Sequence, residues 1–190
     1  MVLSIAIPIA GLLGYYIFIQ SPYGDEVTLL DGLNATNEDK IQLEKNIKEM
    51  VKGYPMEEMV PYIIQKDTKV AAFLVSIAKK ESNWGKRVPI LNGQDCYNYW
   101  GYRGIRDRMG TGGHTCFDSP EDAVNTVARR LQDLVQSDVD TPQEMVIWKC
   151  GSACDKDSQV AVKKWISDVN IYFQKIMGQK EPQEPNPDNV

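Results

Sequence analysis

One carboxyl stands out by its position. Val70, Phe73, Leu74, Ile77 and Ala78 recur at helical spacing, and a step of four from Ile77, or three from Ala78, lands on Glu81. Its neighbours Lys79 and Lys80 point to other faces of the same helix. Desolvation at the end of an apolar stripe favours the protonated carboxyl, which suits a general acid that must hold its proton near neutral pH. The periodicity is equally compatible with a Glu exposed at a helix end, or with one held in a structural ion pair.

Three ordered elements follow. Glu81-Ser82-Asn83-Trp84-Gly85-Lys86 leads into Asn98-Tyr99-Trp100-Gly101-Tyr102-Arg103-Gly104, and then into Cys116-Phe117-Asp118-Ser119-Pro120-Glu121-Asp122-Ala123. This series resembles the bacterial glucosaminidase family of the lysozyme-like superfamily, the endo-beta-N-acetylglucosaminidase-like domain. Its members show Glu-Ser-x-Trp-Gly-Lys at the end of a buried helix, then Asn-x-Phe/Trp-Gly-x-Lys/Arg-Gly, then an aromatic and Ser before an Ala-containing helix. The resemblance covers about residues 67–135. The lytic transglycosylases share the Glu-Ser opening but usually continue into a Gly-x-Met/Leu-Gln element, which this chain lacks.

The resemblance implies a lysozyme-like fold, no cofactor and no metal. It gives Glu81 the task of protonating the glycosidic oxygen between N-acetylated amino sugars of peptidoglycan. The second catalytic group is not identified. The loop region offers Asp95, Asp107 and Asp118, of which Asp118 adjoins a helix cap and reads as structural, while the other two match no family position. Trp84 and Trp100 fit either the junction between helix and loop or a platform for pyranose rings. Tyr99 and Tyr102 are the better groove-lining candidates. Arg103, Arg106 and Arg108 form a basic patch suited to the carboxylates of muramyl or stem-peptide groups, or simply a solvated loop surface. His114, between Gly113 and Thr115, reads as a loop residue rather than a catalytic one.

The elements that must hold these residues are mainly helical. Ile41, Leu43, Ile47 and Val51 form a stripe that Gly53 and Pro55 end, and a short helix covers 56–65. Asp67 caps a helix from Thr68 to about Asn83. Residues 85–118 lose helical periodicity and read as a long functional loop or small irregular lobe. Ser119 and Pro120 start a helix that carries Ala123, Val124, Val127, Leu131, Leu134 and Val135 on one side. Thr141-Pro142-Gln143-Glu144 is a capping box before another short helix. Val160 to about Met177 forms the last, with Val162, Trp165, Ile166, Val169, Phe173 and Ile176 in phase.

Composition places this domain behind a leader. The chain has 190 residues, 43% hydrophobic and 25% charged, as in an ordinary globular protein. A net charge of −5 argues against a general nucleic-acid binder. The run Val2–Ile19 has no charge, and as a helix it would extend roughly 27 Å, enough to cross the hydrocarbon of a bilayer. No basic segment precedes it and no Ala-x-Ala site follows it, which favours an uncleaved anchor over a signal peptide. The expected organisation is a transmembrane anchor over 1–20, a spacer over 21–36, the domain over 37–178 and a disordered tail over 179–190. Asn34-Ala35-Thr36 matches a glycosylation sequon that only a eukaryotic secretory host would use.

Four cysteines behind an export segment favour two disulfides, of which Cys96–Cys116 with Cys150–Cys154 is the local pairing. The alternative is a four-thiolate zinc site, for which Cys150 and Cys154 have tolerable spacing but Cys96 and Cys116 do not. The expected setting is a bacterial cell membrane, crossed once, with the domain on the cell-wall side and peptidoglycan as its partner. Three other functions fit less of the chain: a lytic transglycosylase, a non-catalytic wall-binding module, and a small zinc-stabilised interaction domain. Oligomeric state leaves no mark in the sequence.

Overall fold

The computed structural model describes residues 24–178. The expected anchor over 1–20 and tail over 179–190 lie outside the described residues, and no described helix is long and apolar enough to cross a membrane. The chain divides after Asp39, and the compact unit described below begins at Lys40. It is mainly helical.

Helix α1 (Gly24–Val51) starts inside the stretch expected to be a spacer; no proline interrupts it after Pro22. Leu43, Ile47 and Val51, spaced by four, are buried, whereas Ile41 is 61% exposed. Two residues place Ile41 about 200° around the helix from Leu43, so it belongs to the opposite face. The expected helix over 56–65 is two pieces, a 3₁₀ turn (Pro55–Met59) and α2 (Val60–Ile63). Pro61 has no amide hydrogen to continue the first piece and sits well in the first turn of the second.

Helix α3 (Thr68–Ser82) is the centre of the unit. Asp67 caps it, accepting from the amides of Lys69 (2.9 Å) and Val70 (3.4 Å). Every residue from Val70 to Ala78 is buried, so the helix is covered on all sides rather than on one stripe. It packs against α4 (Pro120–Val135) and α6 (Gln159–Met177), with the Phe73 and Phe173 rings 4.5 Å apart. Helix α4 opens as expected, with the Ser119 hydroxyl accepting from the Asp122 amide at 3.1 Å. Its buried face is Ala123, Val124, Val127, Ala128, Leu131 and Leu134.

The chain leaves α3 through three consecutive left-handed residues, Asn83 (φ 53°), Trp84 (φ 54°) and Gly85 (φ 90°). A Cβ at Gly85 would lie 2.8 Å from the Tyr99 ring and 2.9 Å from Pro55, so only glycine fits. The Ser82 hydroxyl accepts from the Gly85 amide (2.9 Å), and the Trp84 indole donates to the Val75 carbonyl (2.9 Å). Each residue of Ser82-Asn83-Trp84-Gly85 therefore has a part in reversing the chain.

Residues 86–118 form a lobe with two small antiparallel ladders. In one, β1 (Ile90–Leu91) pairs with β2 (Gln94–Asp95); in the other, β3 (Met109–Gly110) pairs with β4 (His114–Thr115). The Cys96–Cys116 disulfide ties the two ladders. The buried Asn98 amide donates to the carbonyls of Tyr102 and Thr115 (both 2.8 Å) and accepts from the Tyr102 amide (2.9 Å). The Trp100 indole bolts the lobe to α3 by donating to the Leu74 carbonyl at 2.7 Å.

Between α4 and α6, Thr141 and Glu144 make the expected reciprocal cap: the carboxylate accepts from the Thr141 amide (3.0 Å), and the Thr141 hydroxyl accepts from the Glu144 amide (3.3 Å). A 3₁₀ turn (Glu144–Val146) leads into α5 (Ile147–Cys150), which the Cys150–Cys154 disulfide and the Lys149–Asp157 ion pair close off. Both disulfides are the local ones expected. No free cysteine is left among the described residues, which removes the four-thiolate zinc alternative.

Candidate active site

Glu81, in the last turn of α3, is half-buried. Its Oε1 accepts from the Trp165 indole of α6 at 2.7 Å. An indole N–H only donates, so Oε1 must accept, and a proton carried by this carboxyl sits on Oε2. That second oxygen faces Gly101, where an added Cβ would lie 3.6 Å from it. Gly101 has φ 67°, and the absence of a side chain leaves Oε2 open.

Two adjoining cavities of about 400 Å³ each meet here, and Glu81, Gly101 and His114 line both. One arm continues between the lobe and the helices, past Trp100, Tyr102, Arg103, Arg130, Leu134, Ile147, Trp148 and Lys149. The other runs along the chain reversal and the ladders, past Ser82, Arg87, Val88, Pro89, Asn98, Thr111 and Gly112. Glu81 is the one carboxylate among the described residues that line either arm, while Arg87, Arg103, Arg130 and Lys149 make the lining cationic. Among the described residues, no group of three or more His, Cys, Asp or Glu side chains converges as a metal site would require.

The expected site residues divide. Tyr102 and Arg103 line the groove beside Glu81, and the Arg103 guanidinium donates to the Gly112 carbonyl at 2.8 Å. Trp100 is fully buried beneath its arm, where its carbonyl accepts from the Trp148 indole at 2.9 Å. Trp84 and Tyr99 are buried and line neither arm, so neither is a sugar platform. Trp84 meets Tyr54 and Tyr172 edge-on with the Lys79 ammonium 4.0 Å from its ring. Tyr99, expected in the groove, packs beside Gly85 and Trp100 because the reversal after α3 brings Gly85 against its ring. Burial first, then the charges of Asp95 and Glu58, hold its hydroxyl above the ordinary tyrosine range.

Asp95, Asp107 and Asp118 line neither arm. Burial raises the Asp95 carboxyl, against the opposing hydrogen bonds from the Tyr97 amide and the Tyr99 hydroxyl. Asp118 pairs with Arg108, and Arg106 is fully engaged by Asp122 (2.6 and 3.1 Å) and Thr126 (2.7 Å). Burial alone would raise the Asp122 carboxyl; Arg106, the Asp118 amide and Thr126 outweigh it and hold Asp122 below the usual range. Of the expected basic patch only Arg103 faces the groove. Arg106 and Arg108 fasten the lobe to the start of α4.

Sequence reasoning missed Arg87, Arg130, Trp148, Lys149 and the central position of His114. Arg130 carried a usable signal, since it stands one helical turn before Leu134 on the flank of α4 and both line the same arm. No protein-family model, curated protein or solved structure matches this chain.

Proposed function

We propose that this chain is a membrane-anchored glycosidase on a lysozyme-like scaffold that cuts peptidoglycan strands between N-acetylated amino sugars, with Glu81 as general acid. The observation that carries this reading is the single carboxyl, among the described residues, at the waist of a groove with two cationic arms. Cleavage within a polymer needs binding space on both sides of the proton donor, and the two arms provide it. Arg103 and Arg130 in one arm and Arg87 in the other suit the carboxylates that muramyl and stem-peptide groups carry. Glu81 would deliver its Oε2 proton to the glycosidic oxygen while the Trp165 N–H holds Oε1 in place. Tyr102 and Trp148 offer aromatic edges along the wall for the sugar rings.

Two disulfides suit an oxidising compartment, and the uncharged run over 2–19 would place the domain there, tethered to the membrane. Digestion of purified peptidoglycan, read by mass spectrometry, tests the reading. Reducing N-acetylglucosamine ends are expected. Anhydro-muramyl ends would make the enzyme a lytic transglycosylase, and binding without release of fragments would make the domain a wall-binding module.

A further inference from the structure

We propose that His114 is the second proton-transfer group of this groove, taking a proton at Nε2 from the water that attacks the anomeric carbon. The inference rests on the glycosidase reading above. Among the described residues three line both arms, and one of them, Gly101, has no side chain, so of these His114 shares the waist with Glu81. The lobe carboxylates that could compete, Asp95, Asp107 and Asp118, line neither arm.

The local structure sets which nitrogen is available. His114 Nδ1 lies 3.0 Å from the Thr111 carbonyl. A carbonyl only accepts, so Nδ1 carries the hydrogen, and the neutral ring presents Nε2 as a lone-pair acceptor. The backbone that carries the ring is fixed on both sides. His114 pairs with Gly110 across the β3–β4 ladder, and Cys116, two residues on, is bonded to Cys96. Gly112 has φ 68°, and a Cβ there would approach Nδ1 to 3.1 Å, so the turn that carries Thr111 closes around the imidazole only with glycine at that place. Half-burial leaves the ring within reach of water.

The step balances in one displacement. The bond from the anomeric carbon to the bridging oxygen breaks, and that oxygen takes the Glu81 proton. The water oxygen bonds to the anomeric carbon from the other side, and its proton passes to His114 Nε2. The imidazolium and carboxylate then exchange that proton through solvent, restoring both groups. Configuration at the anomeric carbon inverts.

The test uses the full chain in detergent, with purified peptidoglycan as substrate, and compares wild type, His114→Ala, His114→Gln and Glu81→Gln. His114→Ala should lose about 10²–10⁴-fold in kcat with KM little changed. Sodium azide, which needs no deprotonation to attack, should restore part of the His114→Ala rate with a glycosyl azide as product, and should not restore Glu81→Gln. His114→Gln should keep the wild-type melting temperature and stay slow. The new reducing ends from wild type should appear first as the α-anomer. Wild-type cleavage with His114→Ala equally active, with β-anomeric or anhydro products, or with no azide rescue overturns the role of His114 and leaves Glu81 standing. A wild type that binds peptidoglycan without cutting it overturns both.

Discussion

Helix α3 and the lobe that follows it build one groove by opposite means. From Val70 to Ala78 the helix is buried on every side, and its position is set by apolar contact with α4 and α6. The lobe buries three large side chains, Tyr99, Trp100 and Phe117, and adds polar and covalent ties to them. It is held by the Asn98 amide, by the Cys96–Cys116 bridge, by the Arg106–Asp122 and Arg108–Asp118 pairs, and by the Trp100 bolt to Leu74. Glu81, the proposed proton donor, stands on the first region, while His114, Tyr102 and Arg103 stand on the second. Stability of the framework and geometry of the site are therefore separable quantities in this molecule.

The sharpest way to separate them is Glu81→Gln. The amide can still accept from the Trp165 indole but has no acidic proton to give. Release of fragments from peptidoglycan should fall by about 10²–10⁴-fold, while the melting temperature holds or rises. A variant that unfolds earlier would mean that the carboxyl serves the framework instead.

Disulfide removal probes the lobe next. Paired Cys→Ser changes at Cys96 and Cys116 open a separation of 20 residues, and those at Cys150 and Cys154 one of 4. Chain-entropy arguments give losses of about 3 and about 2 kcal/mol, measurable by urea unfolding. Activity should fall more with the first pair, because it lies two residues from His114 and ties the two ladders. Equal losses of activity would show that the α5 wall is as demanding as the lobe.

The smallest effects come from two carboxyls displaced in opposite directions. Asp122 is held below its ordinary value of 3.8, so its contribution is present above that pH and disappears as the pH falls through the lower folded value. Asp95 is raised above 3.8, so its contribution is present below that pH and is lost as the pH rises through the higher folded value. Melting curves from pH 3 to 7 should show Asp122→Asn flattening the acid-side loss and Asp95→Asn raising stability toward neutral pH.

The framework was readable because burial leaves a period. The stripes of α4 and α6, the Asp67 and Ser119 caps and the Thr141–Glu144 box all appear where the spacing puts them, whereas α3 is buried beyond its expected stripe. Ile41 failed because two residues on a helix are nearly opposite faces. The groove was only half readable. Arg103, Arg106 and Arg108 look alike in sequence, and which of them is free depends on where Asp118 and Asp122 lie at the start of α4. Tyr99 and Tyr102 are likewise indistinguishable until the turn at Gly85 presses one into the interior. His114 looked incidental because its place at the waist of the groove arises from the register of a two-residue ladder, too short to leave any pattern.

The hydrogen bond from Trp165 to Glu81 joins positions 84 residues apart. The ribosome makes the carboxyl long before it makes its holder. A growing chain that already carries α3, the lobe and α4 has the carboxyl but not the indole that holds it. The lining of the groove is complete by Lys149, but a nascent or truncated chain ending before α6 would lack the indole that holds Glu81 Oε1.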